Sequence, residues 1–399
     1  MRLNQTPSAY EVILDRRQEP PPIPVVTTAA PVGENQFLYL STGVCLYALD
    51  AGDGTTRWCQ QVKLAPLREV SYPPWVSVPP PPRVGFATPR AVNGVVYVCV
   101  GSFGEYNYTC AFNAEDGAPR WHTPTDGKVA AMPFMDWAVP LVSDGTDGVV
   151  HSGTYALNAQ DGRVLWRTTI DTLAEGTVSL HALVDETLYA TTQWGIYAIN
   201  TQDGQIRWRY QPEEPRYLSG PPVVSGRLLY AGVSGGAGYP EPGHLFALDA
   251  ATGAEVWRYR MGRYIGAVVF RESIYINSGD RSLYALEAKS GRLRWRHQFA
   301  APGQYPATIA EDILYINIGT DGAYALSSED GAVLWHQSLE SNPGVLFSPP
   351  VVLDGAVYLV RDDKRGRGML YALDRRTGAE CWRWQTPPPS AIAPLDTAQ

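Results

Sequence analysis

Few residues in this 399-residue chain could do chemistry, and their spacing decides which chemistry is open. Six histidines stand at His122, His151, His181, His244, His297 and His336. No pair has the H-x-x-x-H or H-x-x-E-H spacing that would turn two imidazoles toward one metal ion. No G-x-S-x-G occurs, so the strained turn that exposes a nucleophilic serine is missing. The cysteines Cys45, Cys59, Cys99, Cys110 and Cys381 form neither C-x-x-C nor an adjacent pair, and their number is odd. They read as buried free thiols, with a Cys99–Cys110 disulfide left open because those two fall on neighbouring strands. "SDGTDG" (143–148) and "GTDG" (319–322) read as turns, too poor in carboxylates for a calcium loop. Asp280 and Asp321 hold matching places in two turns, where a side-chain Asx turn is the reading rather than a general base.

The elements that carry these residues come from a repeat. Gly54, Gly117, Gly162, Gly204, Gly253, Gly291, Gly331 and Gly378 are each followed four residues later by a tryptophan. Those are Trp58, Trp121, Trp166, Trp208, Trp257, Trp295, Trp335 and Trp382. Six residues before each glycine stands an alanine: Ala48, Ala111, Ala156, Ala198, Ala247, Ala285, Ala325 and Ala372. Most of the spacings fall in the forties, the period of an array of supersecondary units. Each unit reads as two apolar segments joined by a D-G-type turn, an alternating "LYALD"-type segment, a tight turn and a Trp-bearing segment. That is four short strands. The fold expected is therefore all-β: an eight-bladed β-propeller of four-stranded antiparallel blades over residues 24–386. A stacked solenoid would need a polar capping repeat, and none is seen. "YEVILDR" (10–16) falls in an N-terminal segment, 1–23, and is expected to add as an extra edge strand near the first or last blade. Residues 387–399 read as a flexible tail.

Composition limits the function classes. Apolar residues make up 45% of the chain, enough for a large core, and 38 Gly with 33 Pro suit many turns. The formal net charge is −8, against a nucleic-acid binder, which would carry a basic face. No run approaches the ~18 apolar residues of a membrane span. The N-terminus lacks the apolar h-region of a signal peptide, so a cytoplasmic chain is expected, and a monomer.

The phrase "LYALDAxTGxxxW" resembles the tryptophan-docking repeat of PQQ-type propellers, over nearly all of residues 24–386. That superfamily includes the quinoprotein alcohol dehydrogenases and the BamB-type subunit of the outer-membrane assembly machine. The residues of the phrase themselves suggest a fastening: a small alanine leaves room for the flat indole on the adjacent strand, so the eight tryptophans are expected to stack between successive blades. For the dehydrogenases the resemblance implies PQQ held between a Trp floor and adjacent cysteines, with Ca²⁺ on carboxylates and an Asp base. This sequence has no Cys-Cys pair and no C-x-x-C-H, so no cofactor is expected, with PQQ and Ca²⁺ as the alternative. The BamB-type resemblance fits the size and the eight repeats, although the lipobox Cys is missing.

In a propeller the short uniform turns share one face and the irregular connections share the other, where binding residues gather. The longest connection, "VSYPPWVSVPPPPRVGF" (70–86), carries Tyr72 and Trp75. It is either a stiff loop whose Trp75 packs back on the propeller or a docking edge. "MPFMDWA" (132–138) sets Met132, Phe134, Met135 and Trp137 around Asp136. Tyr106, Tyr108, Tyr217 and Tyr239 stand in further irregular segments. "RDDKRGRGM" (361–369) reads as a solvated loop. His122, His297 and His336 sit just after repeat tryptophans and read as surface or packing residues. The aromatic composition suits the core of a protein interface, and it would also suit a sugar or a peptide. The sequence thus points to a non-catalytic scaffold whose irregular face binds a protein or peptide. A PQQ- and metal-dependent oxidoreductase and a lyase or hydrolase with acids in the central funnel are the alternatives.

Overall fold

The computed structural model describes residues 10–14, 32–34, 36–42, 45–66, 84–86, 89–102, 105–125, 141–142, 149–152, 155–168, 170, 178–192, 195–212, 217–234, 243–262, 264–303, 306–318, 321–339, 349–362 and 368–385. Among these residues the regular structure is all β and forms eight antiparallel sheets. Sheet 1 holds β1 (Tyr10–Leu14), β2 (Val32–Glu34), β3 (Phe37–Thr42), β4 (Cys45–Asp50) and β5 (Thr56–Pro66). Sheet 2 holds β6 (Val84–Phe86), β7 (Arg90–Val92), β8 (Val95–Ser102), β9 (Glu105–Asn113) and β10 (Pro119–Thr125). Sheet 3 holds β11 (Leu141–Val142), β12 (Val149–Ser152), β13 (Tyr155–Asn158) and β14 (Val164–Arg167). Sheet 4 holds β15 (Val178–Val184), β16 (Thr187–Thr192), β17 (Gly195–Asn200) and β18 (Ile206–Tyr210). Sheet 5 holds β19 (Tyr217–Ser225), β20 (Leu228–Ser234), β21 (Gly243–Asp249) and β22 (Glu255–Met261). Sheet 6 holds β23 (Tyr264–Phe270), β24 (Ser273–Ser278), β25 (Ser282–Glu287) and β26 (Leu293–Gln298). Sheet 7 holds β27 (Thr308–Ala310), β28 (Ile313–Ile318), β29 (Gly322–Ser327) and β30 (Val333–Gln337). Sheet 8 holds β31 (Val351–Leu353), β32 (Ala356–Asp362), β33 (Gly368–Asp374) and β34 (Glu380–Gln385).

The architecture is a propeller. Inner strands of neighbouring sheets lie side by side at β2/β7, β11/β15, β15/β19, β19/β23, β23/β27 and β27/β31, and β31 returns to β2. The expectation of eight four-stranded blades is corrected on two points. In seven sheets the two middle strands have at least six residues, so seven blades are full-sized; in sheet 3 they have four. Sheets 1 and 2 carry a fifth strand: β1 pairs antiparallel with the far end of β5, Val62–Pro66, and β6 joins β7 in pairing with β8.

Burial follows the radial order. Middle strands such as β16 are buried at every residue, because each faces a neighbouring blade on both sides. Outer strands such as β26 only half-bury their alternate residues. The core therefore consists of seams between blades. Tyr39, Leu46 and Trp58 of sheet 1 meet Val98, Cys110 and Phe112 of sheet 2. Leu38, Leu40, Cys45 and Tyr47 of sheet 1 meet Tyr358, Val360 and Leu370 of sheet 8. All five cysteines are free. Cys99 lies opposite Thr109 and Cys110 opposite Val98, one step out of register. Their side chains point to opposite sheet faces, so the disulfide left open by the sequence is ruled out.

Candidate functional site

The indole N–H groups that recur in the repeat are engaged at the seams, while the recurring turn aspartates and asparagines bond within their own turns. In every sheet the repeat alanine lies directly opposite the repeat tryptophan, as in Ala48/Trp58 and Ala372/Trp382. Each indole Nε1 donates to a carbonyl in the turn between the last two strands of the next sheet. Trp58 reaches Ala114 at 2.9 Å, Trp121 reaches Ala159 at 3.0 Å, Trp166 reaches Thr201 at 2.7 Å and Trp208 reaches Ala250 at 3.0 Å. Trp257 reaches Ala288 at 3.1 Å, Trp295 reaches Ser328 at 3.2 Å, Trp335 reaches Arg375 at 3.0 Å and Trp382 reaches Ala51 at 3.2 Å. The indole also covers the repeat glycine of that next sheet. At Gly117, whose φ is +69°, an added Cβ would lie 2.7 Å from the Trp58 ring.

A second donor was missed by the sequence reading. Tyr39, Tyr97, Tyr189, Tyr230, Tyr275, Tyr315 and Tyr358 send their hydroxyls to the same carbonyls as the tryptophans, at 2.8–3.5 Å. In sheet 3 the corresponding residue, opposite Ala156, is His151. Burial pushes the hydroxyl pKa of Tyr230 and Tyr358 up to about 12.

The residues able to do chemistry are spread through separate seams. Asp280 and Asp321 do not form the expected side-chain Asx turns. Their Oδ2 atoms accept the hydroxyls of Tyr284 and Tyr324, at 2.5 and 2.6 Å. Burial and the adjoining aspartate raise both tyrosine pKa values, that of Tyr284 to about 12. His336 stacks on Tyr324, centroids 4.2 Å apart, and its Nε2 lies 2.9 Å from the Asp321 carbonyl oxygen. His336 belongs to a series in which the residue after the repeat tryptophan covers an aromatic ring on the adjacent strand. Arg167 covers Tyr155, Arg209 covers Tyr197, Arg258 covers Phe246 and Arg296 covers Tyr284, 5.1–5.5 Å from the ring centres.

The innermost strands β2, β7, β11, β15, β19, β23, β27 and β31 are mainly apolar, with Glu34, Arg90 and His181 as their charged or imidazole residues. One acid, one base and one imidazole do not make the carboxylate-rich seat that Ca²⁺ needs. Among the described residues no group of three or more His, Cys, Asp and Glu side chains could hold a metal ion. The described residues therefore do not fit a quinone with its metal.

Of the residues expected to bind, Tyr72, Trp75, Phe134, Asp136, Trp137 and Tyr239 lie outside the described residues, as do Met132 and Met135. Tyr106 lies in β9 and Tyr217 in β19, opposite Ser234. Tyr108 is also in β9, 9% exposed, within the core between sheets 1 and 2. Its place on an irregular loop is thus corrected, because the second hairpin of sheet 2 extends β8 and β9 outward past it. Arg361, expected in a solvated loop, continues β32 and is buried, and that burial lowers its pKa. The described large apolar side chains that stay exposed are Val164, Leu165, Ile206, Val256, Leu293, Val333 and Leu334, all on outer strands. Among the described residues no helix is long and apolar enough to cross a membrane.

Comparison with known proteins agrees with this fold. BamB from Moraxella catarrhalis is 19% identical, with 75% of this chain and 85% of that chain covered and a TM-score of 0.55. The computationally designed Ika8 protein is 11% identical, with 88% and 96% covered and a TM-score of 0.62. The quinohemoprotein alcohol dehydrogenase ADHIIG from Pseudomonas putida HK5 is 15% identical, with 81% and 69% covered and a TM-score of 0.55. No curated protein matches the chain. The family described as outer membrane protein assembly factor BamB matches residues 41–240, 196–310 and 299–397. With nearly the whole propeller matched, the chain belongs to that PQQ-like propeller family.

Proposed function

We propose that the protein is a non-catalytic scaffold that binds a protein or peptide partner through its irregular face and holds no quinone. The observation that carries this reading is where the repeat's polar groups go. Indole N–H and tyrosine O–H groups meet carbonyls of the next blade, and Asp280 and Asp321 meet tyrosine hydroxyls. Each of these groups is thus taken up by a partner within the propeller. Family membership supports the same reading, since BamB is described as an assembly factor. Similarity to the quinohemoprotein alcohol dehydrogenase favours no second reading, because at 15% identity it speaks for the fold alone.

The reading includes a ring of eight blades, with sheet 3 as a small blade. Its support is the circular order of the seams: sheet 3 receives Trp121 at Ala159 and sends Trp166 to Thr201, like its larger neighbours. The repeat tryptophans then act as the fasteners of the ring. The partner side is assigned to Tyr72, Trp75, Phe134, Trp137, Tyr217 and Tyr239, because the opposite face is built of short, self-bonded turns such as Asp50–Thr55.

A photo-crosslinking amino acid placed singly at positions 75, 137 and 239 tests this. Positions 116 and 330 sample the short-turn face, and position 334 samples the exposed outer rim. A discrete adduct in cells from the first set alone is the expected result. Adducts only from the turn face or the rim would move the site. A titration with PQQ and Ca²⁺ that quenches tryptophan fluorescence saturably and raises the melting temperature would replace the scaffold reading by an oxidoreductase.

A further inference from the structure

Sheet 1 departs from the pattern of a cation over an aromatic ring. The residue after its tryptophan is Cys59, which lies opposite Tyr47 just as Arg296 lies opposite Tyr284. Two residues before Tyr47 stands Cys45, opposite Gln61. Side chains alternate along a strand, so Cys45, Tyr47, Cys59 and Gln61 share one sheet face, with the two cysteines on its diagonal. Other sheets show that this diagonal brings side chains together. In sheet 6, Arg296 Nε donates to Ser282 Oγ at 3.0 Å. In sheet 2, the His122 and Tyr108 ring centres lie 6.1 Å apart. In sheet 4, a Cβ added at Gly195 would lie 3.9 Å from Arg209 Nε.

In sheet 1 the two diagonal residues are thiols, and both belong to the cluster that joins sheet 1 to sheet 8 beside Trp384. We propose that Cys45 and Cys59 form a reversible intrachain disulfide when the protein meets a peroxide, a redox site in the seam where the last blade meets the first. A hydrogen bond with Cys59 lowers the pKa of Cys45, while that bond and then burial raise Cys59. Cys45 thus takes the role of attacking thiolate and Cys59 that of resolving thiol. The Cys45 thiolate attacks one peroxide oxygen, giving a sulfenic acid and hydroxide. The Cys59 thiol then displaces water from that sulfur. Overall two thiols and one hydrogen peroxide give one disulfide and two waters, with two electrons passing from sulfur to peroxide. A cross-strand diagonal is wider than a directly opposed pair, so closing the bond draws the strands together and leaves it easily reduced.

The test exposes the whole protein to graded hydrogen peroxide, alkylates remaining thiols with N-ethylmaleimide after unfolding, and maps the peptides by mass. Exposed Cys381 serves as the internal reference for the oxidant dose. The expected result is loss of labelling at Cys45 and Cys59 together, in one cross-linked peptide lighter by two hydrogens and restored by dithiothreitol. Cys381→Ser should leave that product unchanged. Cys59→Ser should replace it with oxygen added to Cys45. Full labelling of Cys45 and Cys59 at a dose that has oxidised Cys381 would overturn the proposal. So would a cross-link from either residue to Cys99, Cys110 or a second molecule.

Discussion

The Trp382 indole nitrogen lies 3.2 Å from the carbonyl oxygen of Ala51, across 331 residues of sequence. The Tyr358 hydroxyl meets the same oxygen at 2.8 Å. One carbonyl at the foot of sheet 1 therefore takes both donors of sheet 8, and Gly54 beside it accepts the face of the indole. The same arrangement joins sheet 1 to sheet 2 through Trp58, Tyr39 and Ala114. A buried carbonyl has two lone pairs, so the two donors complete it without competing.

That shared acceptor makes the two donors partly redundant. Tyr358→Phe leaves the Ala51 oxygen bonded to Trp382 and is expected to cost about 1 kcal/mol. Trp382→Phe should cost somewhat more, because the smaller ring also leaves a gap over Gly54. The double variant orphans a buried carbonyl, and about 1–3 kcal/mol beyond the sum is expected. Denaturant titrations of the four proteins read the coupling directly. Strict additivity would mean that the two donors are independent.

Gly117 and Gly94 both have positive φ, +69° and +73°, yet their surroundings differ. An added Cβ at Gly94 meets nothing within 4 Å, whereas at Gly117 it meets the Trp58 ring at 2.7 Å. Gly94→Ala is expected to lose about 1 kcal/mol from left-handed backbone strain alone. Gly117→Ala should lose about 1–3 kcal/mol more, since the indole must move off the turn. Equal losses in thermal melts would show that the indole does not press on the glycine.

The seam tyrosines also set an alkaline limit. Tyr230 and Tyr358 titrate near 12 in the folded protein, above the unfolded value near 10. The folded state thus holds its protons longer than the unfolded chain. The stability from these groups is complete below pH about 10 and is lost as the pH rises through about 12. Melting temperature should fall across that window, with tyrosinate absorbance rising together with unfolding. Tyrosinate appearing at full melting temperature would place those hydroxyls in water.

How much of this was legible in the sequence depended on whether a spacing is fixed by a turn. The hairpin between the last two strands of each sheet has constant length, so Ala, Gly and Trp recur at fixed offsets and their pairing could be anticipated. The connection before that hairpin varies. Tyr39 precedes Ala48 by nine residues, but Tyr230 precedes Ala247 by 17, so the tyrosines fell out of any alignment made on the glycine. The small size of sheet 3 was hidden because its Gly162–Trp166 phrase is complete, and His151 in place of a tyrosine was its one outward sign. Burial of Tyr108 depended on how far the hairpin of sheet 2 extends, which no turn residue marks. The Cys45–Cys59 diagonal needed the register of β4 against β5. Trp75 and Trp137 stand in Pro- and Met-rich segments without periodicity, where no pattern fixes a strand register.

Strand β1 guards the far end of β5. It pairs with β5 from Tyr10 opposite Pro66 to Leu14 opposite Val62, beyond the part of β5 that pairs with β4. β5 has 11 residues, whereas the outer strands of the other sheets have four to seven. Without β1 that extension would present unpaired backbone groups on an edge, which invites pairing with another chain. Deleting residues 1–20 should therefore lower the melting temperature and cause self-association that grows with protein concentration. A second variant, Val12→Pro, removes one donor from the strand without shortening the chain and should act in the same direction. Calorimetry and sedimentation of both variants decide the matter. An unchanged melt with a monodisperse species would mean that β1 adds nothing to the ring and that the β5 edge is protected by other means.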